Sequence, residues 1–305
     1  MVSYVGRRTL QAIANIVFVA TLIFVLARAT GDPVSLLLPQ SASPAVVDQL
    51  RTELGLDKPL WAQFLGFLGQ IFTFDLGHSF VTGEPVSDVL LTHIGPTLAL
   101  SLTALVLAVV VGIPLGVVSA VRRGGVIDAV AKGIALLGQA VPAFYLSILL
   151  VLLFAVQLPL FPVAGRDGAA SYVLPAIALG WPALAGVLRL TRSSMLDALD
   201  ADYVRMARAK GMHPTITVGK HALRNALIPV VTFSGLMLAG FLGGAVVIES
   251  IFNWQGIGQL TLDAIKVRDF PVVQGAVITV AIGFIVVNLA VDILYLVIDP
   301  RIRYE

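Results

Sequence analysis

The sequence has no cysteine, so neither a disulfide framework nor a thiolate metal site can be built from it. Charge is scarce too: Asp, Glu, Lys and Arg make up 12% of its 305 residues, against about a quarter in a soluble domain. There is no Gly-x-x-x-x-Gly-Lys-Ser/Thr run, and the glycines between Gly66 and Gly77 and between Gly240 and Gly244 lack the strand–turn–helix setting of a phosphate loop. The four histidines, at 78, 93, 213 and 221, are dispersed and read as polar surface residues rather than a metal cluster. Ser193 and Ser194 stand in no nucleophile motif. A net charge of +2 carries no nucleic-acid signal. Nothing here predicts a catalytic residue, a cofactor or a metal.

What is there is apolar surface. The chain is 58% hydrophobic, and six stretches carry no charge at all: 9–27, 94–121, 133–165, 168–188, 225–248 and 270–291. Each reaches the length of about 20 residues that a helix needs to cross ~30 Å of hydrocarbon. A soluble core does not distribute its residues this way, so the chain reads as an all-α integral membrane protein with six transmembrane helices. They are expected near 9–29, 95–121, 129–157, 171–190, 225–249 and 271–298. Arg7 and Arg8 resemble a signal n-region, but the run behind them is long for a signal core and reads as an uncleaved first helix. Small residues such as those of 235–247, GLMLAGFLGGAVV, suit close helix contact in a bilayer.

Basic residues fix the orientation. With the N-terminus inside, the inner segments hold 14 Lys and Arg and the outer ones 6 of the 20 in the chain. Excess Lys and Arg stay on the cytoplasmic side, so both termini are expected there. The expected organisation is 1–29 as tail and first helix, 30–94 as an extracytoplasmic segment, 95–298 as a five-helix core and 299–305 as a cytoplasmic tail. The core contains a cytoplasmic loop, 191–224. In the outer segment, Pro44 to Leu54 places Val46, Val47, Leu50 and Leu54 on one helical face. The aromatic stretch that follows, with Trp61, Phe64, Phe67, Leu68 and Phe72, suits a helix lying at the membrane surface.

The inner loop concentrates cations: Arg205, Arg208, Lys210, Lys220 and Arg224. Asp200 and Asp202 predict a helix start, as caps and as partners of the positive dipole end. Arg208 and Lys210 suit its end, Gly211 the position just past it, and Pro214 the stop. A helix of about two turns is marginal alone, so it needs a packing partner, and small Ala207, Ala209 and Gly211 would let another backbone approach. Two acids near the membrane also stand out, since intramembrane acids mark function by default. Glu249 closes the fifth helix on the outer side, where a place on a substrate path and a place at the interface both fit. Asp292 lies deeper, where a structural pairing is the plainer reading.

YVRMARAKG at 203–211 followed by HALRNALIPVV at 221–231 resembles the cytoplasmic loop signature of ATP-binding-cassette import permeases. In the general form of that signature Glu stands at 205 and Ala at 206, while Ala207, Gly211 and Pro229 match. The variant seen here is similar to the B-type permease subunits of dipeptide and oligopeptide importers. GDP at 31–33, LGLDKPLWAQF at 54–64, DLGHSF at 75–80, VIESIFNWQGIG at 247–258, RDFPVVQG at 268–275 and IDPRIRY at 298–304 extend the likeness over nearly the whole chain. Gln255 departs from it, standing where the family often has Pro.

The resemblance implies the type I importer permease fold and a non-catalytic subunit forming half of a translocation pore. Implied partners are a homologous second permease, two ATPase subunits (or one fused) that carry ATP and Mg, an extracytoplasmic solute-binding protein, a peptide substrate and the lipid bilayer, with no nucleic acid. The implied location is the bacterial or archaeal inner membrane. It makes 202–214 the coupling helix, with Asp202, Tyr203, Arg205, Met206, Ala207, Arg208, Lys210, Gly211 and His213 facing or shaping the ATPase contact. Glu249, Asn253 and Asp292 become pore or gate candidates. The subclass also covers nickel, glutathione and oligosaccharide importers. An ion-driven secondary transporter is the rival from another class, but such proteins carry internal repeats and broken helices with midplane charge, which the residues do not clearly show.

Overall fold

The computed structural model describes residues 2–29, 34, 43–53 and 55–298. Among them every regular element is helical, and a single isolated bridge joins His78 to Pro85. Among the described residues five helices are long and apolar enough to cross a membrane, and a bent pair makes up to six. The chain divides into two units, 1–96 with 255–285 and 97–254 with 286–305.

The first unit contains α1 (Val2–Ala29), α2 (Pro44–Glu53), α3 (Leu60–Thr73), the opening turns of α4 (Val86–Val121), α10 (Ile257–Lys266) and the first half of α11 (Phe270–Ile298). Both surface helices expected at 44–54 and 59–74 form; Leu54 lies outside the described residues. On α3, Ile71 is buried while Trp61, Leu65 and Phe72 are exposed, the division a membrane-surface helix requires. Ala20, Ile23, Ile71 and Ile278 form one apolar cluster, and Val86, Leu90, Ile257, Ala264, Val272 and Ala276 another. Two stretches far apart in sequence meet beside them. The buried Asp269 carboxylate accepts hydrogen bonds from Ser79 Oγ and from the Phe80 N–H at 3.2 Å, clamping the 75–80 turn to the start of α11.

The second unit is built on α7 (Ala170–Asp200), of which 16 residues are buried despite Pro175 and Pro182 within it. α4 crosses it closely: a Cβ on Gly180 would lie 2.7 Å from the Ala104 carbonyl, and one on Gly116 would meet Thr191 at 2.7 Å. Glycine is therefore required sterically at this crossing, the close-approach geometry of helices in lipid. The small-residue run of α9 (Leu223–Phe252) behaves differently along its length. Gly235 packs against Val291, but nothing lies within 4 Å of Gly240, Gly243 or Gly244. Those three lie with Leu236 and Val247 on an exposed face of α9, so among the described residues the expectation of close contact holds for Gly235 and for the fully buried Ala239 and Ala245, and not for these three glycines.

Several expected boundaries move. The third span is not one helix: α5 (Val126–Ala140) and α6 (Ala143–Leu150), the latter continuing as a π-helix over Val151–Gln157, meet at 106°. The cause is Pro142, which forces Val141 out of the helical region, to φ −91 and ψ 116. α7 runs on through 191–200, because Thr191, Met195 and Ala198 continue its buried face. Gln255 has φ +52, a conformation closed to a proline ring, so the turn after α9 is not one that Pro at this position could make.

Candidate functional site

The cationic segment at 201–224 starts where α7 stops. Ala201 is extended, at φ −73 and ψ 149, and opens the short helix α8 (Asp202–Ala209). The expected carboxylate caps do not form. Asp200 is the last residue of α7, and no side chain caps α8. Asp202 acts only by its charge in the first turn and by a 3.7 Å pair with Arg205, and both side chains are well exposed. Exposed pairs of this kind contribute about 0–1 kcal/mol.

The other end is built as the sequence predicts. Gly211 has φ +73; its N–H donates to the Arg208 carbonyl at 2.9 Å, and the Met212 N–H donates to the Ala207 carbonyl at 3.2 Å. These two bonds form a Schellman motif, which satisfies carbonyls the helix end would otherwise orphan. His213 belongs to the next turn. Its Nδ1 accepts from the Thr215 N–H at 3.4 Å and its carbonyl receives the Ile216 and Thr217 N–H groups, so it caps the lead-in to α9.

α8 divides into two faces. Val204 is buried in a cluster with Ala120, Met195, Ala198, Ala222 and Ala226, and Ala207, three residues on, is buried as well. Ala207 therefore packs on its own chain and is not free to admit another backbone, which corrects the expectation from its size. Burying a valine side chain is worth about 1.5–3 kcal/mol, so the two-turn helix is held from below without a partner. On the outward side Tyr203 is 42% and Met206 60% exposed, with Arg205, Arg208 and Lys210 around them and Ile216 exposed in the next turn. An apolar centre with a cationic rim is the composition of a docking surface.

Beneath α8 lies a buried charge centre that sequence reasoning missed. Asp128, 0% exposed, accepts from Ser119 Oγ at 2.6 Å, from the Gly124 N–H at 3.0 Å, from Arg192 through Nε at 2.6 Å and Nη2 at 3.1 Å, and pairs with Lys132 at 2.9 Å. These contacts tie the end of α4, the turn after it, the start of α5 and α7 into one node. α8 begins ten residues after Arg192, beyond the break at Ala201. Higher on the same helices, Arg189 donates to the Gln139 side chain at 3.0 Å just before the bend. Nothing in the sequence pairs residues that far apart, so neither contact was signalled there.

The outer candidates fall elsewhere. Glu249 is fully buried near the end of α9, accepts from Thr97 Oγ1 at 2.6 Å, and its carbonyl receives the Trp254 N–H at 2.9 Å. Trp254, also fully buried, meets Tyr172 edge to face at 4.6 Å. Glu249 thus points into its own subunit, toward Thr97 of α4. Asn253 is exposed and left-handed at φ +48, a conformation Asn tolerates, and ends α9. Asp292 lies on α11 with its side chain outside the described residues. The structure does not bring these three to α8.

Residues 112–304 match the family described as binding-protein-dependent transport system inner membrane component, and residues 1–102 match the N-terminal family of such components. The glutathione transport system permease protein GsiC of Pectobacterium atrosepticum is 42% identical over the full length of both chains. GsiC of Escherichia coli strain K12 is 41% identical, again over the full length of both. Among solved structures, an inward-facing MetNI methionine ABC transporter aligns with a TM-score of 0.56 at 20% identity, over 69% of this chain and 96% of that one.

Proposed function

Because the chain belongs to the binding-protein-dependent transport system inner membrane component family, and so is a multi-pass permease subunit of an ATP-binding-cassette importer, we propose that α8 is its coupling helix and that its cargo is a short peptide. In this reading Tyr203 and Met206 enter a groove on a cytoplasmic ATPase subunit, Arg205, Arg208 and Lys210 meet its rim, and Gly211 sets the end of the helix. Ala207 and Val204 hold the helix to the permease, and His213 caps the turn behind it. The observation that carries this is the division of α8 into a face packed on its own chain and an exposed face with an apolar centre.

The subunit hydrolyses nothing itself; ATP and Mg belong to the ATPase partners. A homologous second permease supplies the other half of the pore, and the exposed Gly240, Gly243 and Gly244 face of α9 is where a partner helix could come close. A solute-binding protein delivers cargo on the outer side, to the segment 30–94. Asn253 and Asp292 remain the gate and pore candidates, while Glu249 acts as a buried brace between α9 and the start of α4. The full-length likeness to glutathione permeases supports a peptide of about tripeptide size. The test is ATP-driven uptake into proteoliposomes holding the whole importer, comparing glutathione, di- and tripeptides, longer peptides and nickel. Uptake of nickel, with every peptide inert, would overturn the cargo assignment and leave α8 untouched.

A further inference from the structure

The first unit encloses a cavity of about 430 Å³, within the range of ~300–1,000 Å³ typical of small-molecule sites. Its polar lining is basic or neutral: Arg28, Lys58, His78, Gln63, Gln70 and Gln274, with no carboxylate among the described lining residues. Its apolar lining includes Phe24 and Phe67 from the two helices that flank it and Phe270 from the start of α11. The charge is held in place. Arg28 lies 3.7 Å over the Phe24 ring and donates to the Gln63 side-chain oxygen. The Gln63 amide in turn donates to the carbonyls of Lys58 at 2.7 Å and Leu56 at 3.2 Å. A guanidinium fixed on an aromatic face and lining a cavity is preorganised for an oxyanion.

Its height in the membrane selects the source of that anion. Arg28 lies two residues beyond the apolar span Arg8–Leu26, and Phe270 opens the span Phe270–Val291. α3, which contributes Gln63, Phe67 and Gln70, exposes Trp61, Leu65 and Phe72 as a helix at the membrane surface does. The cavity therefore sits at the level of lipid headgroups, where a basic pocket between helices meets phosphodiesters before it meets any dissolved anion. We propose that this cavity binds the headgroup of an anionic phospholipid of the outer leaflet. Arg28 and Lys58 take the phosphate, the Gln70 and Gln274 amides take headgroup hydroxyls, and the phenylalanines cover the first carbons of the acyl chains.

The test uses the assembled importer in micelles containing phosphatidylglycerol and phosphatidylcholine in equal amounts, with lipid retention read by native mass spectrometry. Selective retention of phosphatidylglycerol is expected, falling by about tenfold or more in Arg28→Gln, as loss of a charge-assisted hydrogen bond predicts. Lys58→Gln, at an exposed side chain, serves if the first variant assembles poorly, and is expected to weaken retention in the same direction. Arg166→Gln, which removes one outer charge that is not among the lining residues, is expected to leave retention unchanged. Equal retention of both lipids, or retention indifferent to both substitutions, would overturn the proposal. So would displacement of phosphatidylglycerol by millimolar inorganic phosphate, which would mark the cavity as a site for free anions.

Discussion

Replacement of Gly211 by valine isolates the end of α8 from everything else it touches. Gly211 sits at φ +73, and a Cβ built there meets no atom within 4 Å. The perturbation is therefore conformational rather than steric, about 1–2 kcal/mol for an L-residue in the left-handed region, with a β-branched side chain at the upper end. Avoiding it means giving up the 2.9 Å and 3.2 Å bonds that close the helix. The opposing hold is the burial of Val204 and Ala207, with Val204 worth about 1.5–3 kcal/mol. The two are comparable, so the last turn should unwind in a substantial fraction of molecules while Val204 keeps the first turn in place. Met206 and Lys210 would then lose their fixed direction. The membrane spans are unaffected, so insertion and pairing with the second permease should persist. The assay is co-purification of the ATPase subunits together with substrate-stimulated ATP hydrolysis in proteoliposomes. Gly211→Val should lower both severalfold, and Gly211→Asn should lie between it and the native protein because Asn tolerates positive φ. Normal docking and stimulation in Gly211→Val, or Asn no better than Val, would refute the reasoning.

Asp128→Ala leaves Arg192 without its carboxylate, a change costing about 3–5 kcal/mol when a buried pair is broken; lower yield and thermal stability of the permease are expected, and an unchanged melting temperature would remove the node from the account. Asp269→Ala frees the Ser79 hydroxyl and the Phe80 N–H, at about 1–3 kcal/mol, and should raise protease cleavage in the 75–85 turn while ATPase docking on α8 is retained. Because the chain has no native cysteine, Ser43→Cys should react with an impermeant thiol reagent in intact cells and Thr215→Cys only after permeabilisation. The reverse pattern would invert the proposed topology.

What was legible in the sequence follows from how local each signal is. Uncharged length gave the spans, and lysine and arginine sidedness gave an orientation, because a bilayer imposes both on any chain. The close of α8 was readable at Gly211 since positive φ is a property of one residue. Its opening was misread: Asp200 favours a cap in isolation, but the buried stripe Thr191, Met195 and Ala198 carries α7 past the expected boundary and consumes it. The bend in the third span was written in Pro142 and overridden by the length of the apolar run. Pairings that join distant stretches, Asp128 with Arg192 and Asp269 with Ser79, had no signal in one sequence, since each residue alone looks like a solvated charge or hydroxyl. Ala207 was read as an open surface from its size, whereas its spacing from Val204 places both on the inner face.

The claim on which the account rests is that the outward face of α8 touches an ATPase subunit. Single cysteines at Tyr203, Met206 and Val204 in the assembled importer, with a short thiol-to-amine cross-linker, test it on one helix. Capture of the ATPase from Tyr203→Cys and Met206→Cys, and none from Val204→Cys, whose native side chain is 0% exposed, is the predicted result. Failure of both outward positions to capture it, or capture from Val204→Cys alone, would contradict the assignment of α8 as the coupling helix.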